Sequence, residues 1–120
     1  MAHLEGVRVL EFSHMVMGPT VGMILADLGA EVIKVEPLGG DKTRDLPGSG
    51  AGYFAMYNRN KRSITLDLKS PKGIEVVHGL LASSDVMIEN FRHGALDKLG
   101  LGYDSVREIN PGIIGNFCKS

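Results

Sequence analysis

The segment VRVLEFSHMVMGPTVGMILADLGAEVIKVE, residues 7–36, decides the fold. It opens with a β-branched apolar run that ends at Phe12, and it closes with a second such run over residues 31–36. The stretch between them places apolar residues around most of a helical turn. Pro19 suits the first turn of a helix, and Gly29 suits the position just past its end. The pattern therefore predicts a strand, a helix and a second, parallel strand joined by a right-handed crossover.

The rest of the chain continues this alternation of strands and helices. Three more strands are predicted, over residues 63–68, 85–91 and 112–118. Ser70 and Pro71 predict the N-cap and first position of one helix, while Asp104 and Pro111 predict the start and end of another. The order predicts an α/β fold, a Rossmann-like, mostly parallel sheet with helices on both faces, in a single domain over residues 1–120.

Composition narrows the class of protein. The chain has 120 residues, of which 43% are apolar, and its formal net charge of −1 argues against a general nucleic-acid binder. No apolar run has the length of a membrane span, and the single cysteine, Cys118, excludes an internal disulfide. We therefore expect a cytoplasmic protein with no nucleic-acid or membrane partner. Because the chain stops directly after a predicted interior strand, we also expect it to be part of a longer protein.

Ligands of open α/β sheets bind outside the carboxyl ends of the strands. The segments to inspect are therefore residues 14–18, 36–37, 67–69 and 89–92. Glu36 stands where a dinucleotide site would place its ribose-binding acid. The first turn, however, offers only Gly18 and Gly22 instead of the G-x-G-x-x-G pattern, so an NAD-dependent oxidoreductase is disfavoured.

Several residues near these turns have an ordinary structural interpretation. Residues 15–17 (Met-Val-Met) could form an apolar wall for a ligand, but a place in the core is favoured. His14 has no companion His or Cys at metal-binding spacing, so no metal site is predicted. His78 lies on an apolar helix face and is expected in the core, as is Cys118, which has no identifiable base partner.

The segment NRNKRSITLDLKSPKG, residues 58–73, gathers five cations around one anion, Asp67. Arg59, Lys61 and Arg62 precede the predicted strand and Lys69 follows it, so these cations cannot converge on one atom. They could serve two separated anionic groups or two subunits, and a solvated charge run is the alternative. Lys69 also lies beside a helix N-terminus, which favours anions.

The trio ENF, residues 89–91, ends an otherwise apolar strand. Its ring could stack on a purine and its amide could form hydrogen bonds to it, with Arg92 supplying charge. The alternative is that Asn90 caps the strand end and Phe91 is buried.

The chain resembles a known family in four segments and in the pair NP at residues 110–111. The segments are LEGVRVLEFSHMVMGP, LADLGAEVIKVEPLGGDKTR, NRNKRSITLDLKSPKG and DVMIENFRHGALDKLGLGYD. They resemble the N-terminal region of the family III CoA-transferases, which include formyl-CoA transferase, carnitine CoA-transferase and α-methylacyl-CoA racemase. The resemblance covers essentially all 120 residues and implies a Rossmann-like domain that binds CoA, in a homodimer whose two chains interlock.

The resemblance also implies which residues contact CoA. These are Val16, Met17, Leu66, Asp67, Leu68, Lys69, Asn90, Phe91, Arg92, Lys98 and Lys119. Lys69, Lys98 and Lys119 suit the separated 3′-phosphate and diphosphate of CoA. Arg59, Lys61 and Arg62 are assigned to the dimer interface or to loop anchoring. Val16, Met17, Pro37 and Lys98 differ from residues that are common at these positions in other members.

The resemblance implies a reaction whose nucleophile lies elsewhere. The family transfers CoA between an acyl-CoA and a carboxylic acid through an aspartyl anhydride and an aspartyl-CoA thioester, with CoA as a substrate and no prosthetic group. No Asp of this chain matches the motif of that nucleophile, so no catalytic residue is predicted here. An acyl-CoA racemase of the same superfamily and a noncatalytic CoA- or nucleotide-binding module remain as alternatives.

Overall fold

A computed structural model of the chain describes residues 3–117. Its five strands are β1 Arg8–Phe12, β2 Glu31–Glu36, β3 Arg62–Thr65, β4 Val86–Glu89 and β5 Ile114–Phe117. They form one sheet in the order β3-β2-β1-β4-β5, and every neighbouring pair is parallel. The predicted α/β, Rossmann-like arrangement is confirmed.

Four helices connect the strands. They are α1 Met17–Asp27, α2 Tyr53–Tyr57, α3 Pro71–Ala82 and α4 Tyr103–Ile109. The start of α3 is as predicted, because the Ser70 hydroxyl accepts a hydrogen bond from the Gly73 amide at 3.3 Å. The predicted cap of α4 is wrong, since that helix begins after Gly102 and Asp104 lies inside its first turn. None of the helices in residues 3–117 is long and apolar enough to cross a membrane.

The two faces of the sheet carry separate cores because successive side chains of a strand point to opposite faces. Leu10 and Phe12 of β1 pack in the larger core with Val77 of α3 and Val106 of α4. On the opposite face, Val9 packs in a smaller core with residues of α1 such as Ala26. Helices therefore cover both faces, and the turns at the strand ends stay open.

Three sequence-based assignments differ from the structure. Strands β3 and β4 end earlier than predicted, at Thr65 and Glu89, so residues 66–69 and 90–92 are loops. Met15 and Met17 are 42% and 52% exposed, so the prediction that they belong to the core is wrong. His78 is also exposed, because α3 buries Val77 and Leu81 and turns His78 outward. Cys118 lies outside the described residues.

Candidate functional site

The carboxyl ends of all five strands open on one edge of the sheet, because every strand pair is parallel. The turns after β1, β2, β3 and β4 line two neighbouring grooves at this edge. This is the edge at which open α/β sheets bind their ligands.

The first groove, here called the apolar groove, has a volume of about 600 Å³. Its apolar lining comes from Val35, Pro37, Leu38, Leu66, Leu68, Phe91 and Leu99. Two lysines, Lys42 and Lys69, and two carboxylates, Asp41 and Asp67, also line it. An apolar floor with charged side chains around it suits a ligand that combines a flat or aliphatic part with ionic groups.

The second groove, here called the polar groove, has a volume of about 920 Å³. Its charged or polar lining includes Glu89, Arg92, His93, Asp97 and Asp104. His14 and Phe91 line both grooves, and their ring centroids are 5.2 Å apart. This pair of rings is therefore the wall between the two grooves.

The Asn90 side chain connects the end of β4 to the backbone of His14 through two hydrogen bonds. Its side-chain oxygen accepts from the His14 amide at 3.0 Å, and its side-chain nitrogen donates to the His14 carbonyl at 2.9 Å. Met15 follows with φ 64°, a conformation that costs energy for a non-glycine residue. A Cβ at Gly18 would lie 2.7 Å from the Asn90 side chain, so only glycine allows this approach. Asn90 thus holds the β1–α1 turn, whereas Phe91, which the structural alternative expected to be buried, is half-buried and lines both grooves.

The structure brings together some of the residues that the resemblance implies and leaves others apart. Five line the apolar groove and three line the polar groove. The first set is Leu66, Asp67, Leu68, Lys69 and Phe91, and the second is Asn90, Phe91 and Arg92. Val16 and Met17 line neither groove and lie at the start of α1. Lys98 is exposed between the groove residues Asp97 and Leu99, and Lys119 lies outside the described residues.

A network of buried charges supports this edge from the α1 face of the sheet. The Lys34 ammonium lies 2.9 Å from a carboxylate oxygen of Asp41 and 3.6 Å from one of Glu11. The Lys61 ammonium lies 2.9 Å from the same Glu11 oxygen, which also accepts from the Ser13 hydroxyl. The side chains of these four charged residues are at most 2% exposed. Two buried cations therefore compensate two buried carboxylates.

Burial and pairing shift the pKa values in this network. Desolvation lowers the pKa of Lys61, although the Glu11 carboxylate opposes that shift. Desolvation alone would raise the pKa of Asp41, but hydrogen bonds from Thr43 and Lys34 outweigh it and lower that pKa.

The same network explains the role of one cation in the basic segment, residues 58–73. Lys61 anchors its loop, because its ammonium also donates to the Pro19 carbonyl and to the Asn58 side chain, both at 2.9 Å. Arg59 pairs with Asp27 at 2.8 Å, whereas Arg62 is 79% exposed and lies 3.9 Å from Glu31. Loop anchoring is one of the two roles predicted for these cations, whereas no role is predicted for Lys34 or Glu11. The available signal was a charged residue inside each of two apolar strands.

Glu36 is fully engaged within the chain and is not a free ribose-binding acid. Its carboxylate accepts two hydrogen bonds from Arg44, both at 2.8 Å, one from the Asp41 amide at 2.7 Å and one from the Ser63 hydroxyl. The hydrogen bonds from Arg44 are the main reason that the pKa of Glu36 is lowered to about 2. The side chain is 1% exposed, so its role is to hold the loop that follows β2.

This carboxylate predicts an acid-sensitive stability. A folded-state pKa of about 2 against an ordinary value of 4.5 makes the stabilisation complete above pH 4.5 and removes it as the pH falls toward 2. We expect the wild-type chain to lose about 2–3 kcal/mol over this window from Glu36 alone. Urea unfolding between pH 2 and 7 measures the loss. The free energy of unfolding of Glu36→Gln should fall less than that of the wild type between pH 4.5 and 2. Parallel stability curves for the two proteins would contradict the assignment.

Comparison with known proteins identifies the family. The profile described as CoA-transferase family III matches residues 4–118. The chain belongs to this family. It is 52% identical over 116 residues to the formyl-CoA:oxalate CoA-transferase of Afipia carboxidovorans and 50% identical over 115 residues to that of Streptomyces coelicolor. Each alignment covers 92% of the chain but only 27% and 28% of these relatives, so the chain spans about a quarter of their length.

Two solved structures, at 42% and 46% sequence identity, show the same architecture. Rv3272 from Mycobacterium tuberculosis superimposes with a TM-score of 0.94 at 42% identity, covering 100% of this chain and 33% of that one. A CAIB/BAIF family protein from Brucella suis gives a TM-score of 0.88 at 46% identity, covering 98% and 33%. A putative betaketoacyl-ACP reductase, at 14% identity and a TM-score of 0.54, shares the fold alone.

Proposed function

We propose that this chain is the CoA-binding domain of a CoA-transferase that moves CoA between an acyl-CoA and a carboxylic acid. The observation that carries the proposal is the apolar groove at the carboxyl edge of the sheet, in a chain of this family. Its apolar lining suits the adenine and pantetheine parts of CoA, and its lysines suit the phosphates. The remaining implied contacts, Val16, Met17, Asn90, Arg92, Lys98 and Lys119, are proposed as further parts of this site.

Lys69 is the proposed ligand of the 3′-phosphate. Its ammonium has no hydrogen-bond or ion-pair partner within residues 3–117, and it stands at the end of the loop that lines the groove. Asp67, two residues earlier, turns a carboxylate oxygen toward the Lys69 amide, which donates to it at 3.0 Å. This bond fixes the backbone of the loop and leaves the Lys69 side chain free for an anion.

The proposed chemistry is transfer rather than racemisation. The relatives at 50–53% identity are named formyl-CoA:oxalate CoA-transferases, which makes formyl-CoA and oxalate the first substrate pair to test. A nucleophilic aspartate outside this chain would attack the thioester and release the CoA thiolate. The thiolate would then attack the aspartyl carbonyl of the resulting anhydride, which releases the donor carboxylate and forms an aspartyl-CoA thioester. The acceptor carboxylate would attack this thioester, giving a second anhydride and the thiolate, and the thiolate would attack the acceptor's carbonyl to give the new acyl-CoA and the free aspartate. We further propose that the full protein is a cytoplasmic, interlocked homodimer.

Calorimetric titration of the 120-residue chain with CoA tests the proposed function. We expect CoA to bind with a micromolar Kd and NADH to show no binding. NADH should not bind because the Glu36 carboxylate is already hydrogen-bonded to Arg44 and the first turn lacks the glycine pattern of a dinucleotide site. A folded chain that binds no CoA would overturn the proposal that these residues form a CoA site.

Lys69→Ala tests the phosphate assignment. We expect it to raise the Kd of CoA about tenfold and to change the Kd of dephospho-CoA less than about twofold, because only CoA carries the 3′-phosphate. Lys72→Ala is the matched control, since Lys72 is an exposed lysine of α3 that lines neither groove. Equal losses for both ligands would remove Lys69 from the 3′-phosphate.

A further inference from the structure

We propose that Lys42 is a second phosphate-binding residue of the apolar groove and that it contacts the diphosphate of CoA. The inference rests on the proposed function. Lys42 is not among the residues for which the resemblance implies a contact with CoA.

The position of Lys42 supports this role. It lies in the loop after β2, whereas Lys69 lies in the loop after β3, and these two strands are neighbours in the sheet. Both lysines line the apolar groove, and neither ammonium has a hydrogen-bond or ion-pair partner in the described part of the chain. Two cations on separate loops suit a ligand with two separate phosphate groups. Since Lys69 is assigned to the 3′-phosphate, the diphosphate is the group left for Lys42.

The carboxylates of the groove offset only part of this positive charge. Asp41 is neutralised by Lys34 at 2.9 Å, and its other carboxylate oxygen accepts from the Thr43 amide and hydroxyl at 2.9 and 2.8 Å. Asp67 accepts a hydrogen bond from the Lys69 amide. Asp67 therefore keeps its charge, and Lys42, Lys69 and Asp67 together give the groove a net positive charge that favours an anionic ligand.

The backbone of Lys42 is held on both sides by buried groups. Asp41 and Thr43 are 4% and 1% exposed, and the Asp41 amide donates to Glu36 at 2.7 Å. Arg44, two residues after Lys42, is bonded to Glu36 and lies 3.9 Å from the ring centroid of Phe54. The exposed Lys42 side chain thus projects from a fixed loop, so binding orders only the side chain.

Substitution of Lys42 tests the inference on the 120-residue chain with CoA and dephospho-CoA as probes. We expect Lys42→Met to raise the Kd of both ligands about tenfold at low salt, because both carry the diphosphate. Lys72→Met is the matched control and should change either Kd less than about twofold. Circular dichroism of the free variants checks that each is folded.

The outcomes separate this inference from the proposed function. If the wild-type chain binds CoA but Lys42→Met leaves the Kd of dephospho-CoA unchanged, the inference is wrong and the proposed function stands. If Lys42→Met weakens CoA alone, Lys42 belongs to the 3′-phosphate and the diphosphate assignment is overturned. If the folded wild-type chain binds no CoA, both proposals are wrong.

Discussion

Gly73→Ala is expected to lower the free energy of unfolding by about 3 kcal/mol, because the new methyl group has no room. Gly73 lies in the first turn of α3, where its Cα meets the backbone of the β3–α3 turn. A Cβ at this position would overlap the Asp67 carbonyl oxygen and lie 2.8 Å from the carbonyl carbon. That carbonyl accepts a hydrogen bond from the Ser70 amide at 3.1 Å. Moving the turn away from the new methyl group would break this hydrogen bond.

Gly79→Ala is the control, because Gly79 lies in the same helix and no atom comes within 4 Å of the place that its new methyl group would take. Alanine is the better helix former, so this variant should gain up to about 1 kcal/mol. Urea unfolding followed by circular dichroism compares the two. If both substitutions shift the urea midpoint of unfolding in the same direction, the close approach of α3 to the β3–α3 turn is not as described. Because the same turn carries Lys69, CoA binding should also weaken in Gly73→Ala alone.

Lys34→Met is expected to lower the free energy of unfolding by about 3–5 kcal/mol, because it leaves a carboxylate buried without its cation. The Asp41 carboxylate loses its ammonium partner at 2.9 Å and keeps only its hydrogen bonds to Thr43. Glu11 is affected less, since Lys61 remains 2.9 Å away. Methionine fills a similar volume, so the loss reports charge rather than a cavity.

The pH dependence distinguishes this explanation from a packing defect. Lys34 helps to lower the pKa of Asp41 against the desolvation that raises it, so its removal raises that pKa and favours the protonated acid in the folded state. The stability difference between wild type and Lys34→Met should therefore shrink as the pH falls from neutral into the acidic range. Arg59→Met is the surface control, with an expected loss of about 1 kcal/mol or less, because the Arg59–Asp27 pair is largely exposed. A difference that stays constant from pH 7 to 3 would contradict the electrostatic explanation.

Much of the fold was predictable because its signals are local. The β-branched runs of β1 and β2, the Ser70 cap and the glycine after α1 each act within a few residues, and each is where the sequence placed it. The parallel direction of the strands follows from the alternation of strands and helices, because a helical crossover joins two parallel strands. The edge that holds the strand-end loops could be inferred for the same reason.

Side-chain orientation was less predictable, because it depends on which face of an element meets a neighbour. Met15 and Met17 are apolar yet exposed, since Met15 lies in the turn after β1 and Met17 begins α1 on the side away from the core. His78 sits one residue from the buried Val77, and a small rotation of the helix decides between core and solvent.

The sequence by itself determined the α/β class, the family, and the group of loops at which a CoA site is proposed. Only the tertiary structure decided which charges are available to a ligand. Glu11 and Lys61 are separated by 50 residues in the chain, yet they form one buried pair that leaves no charge for binding. Lys42 and Lys69 look no different from Lys61 in the sequence, but they remain unpaired among the described residues and line the groove. Long-range pairing is invisible to local sequence patterns because it depends on how the completed sheet brings distant side chains together.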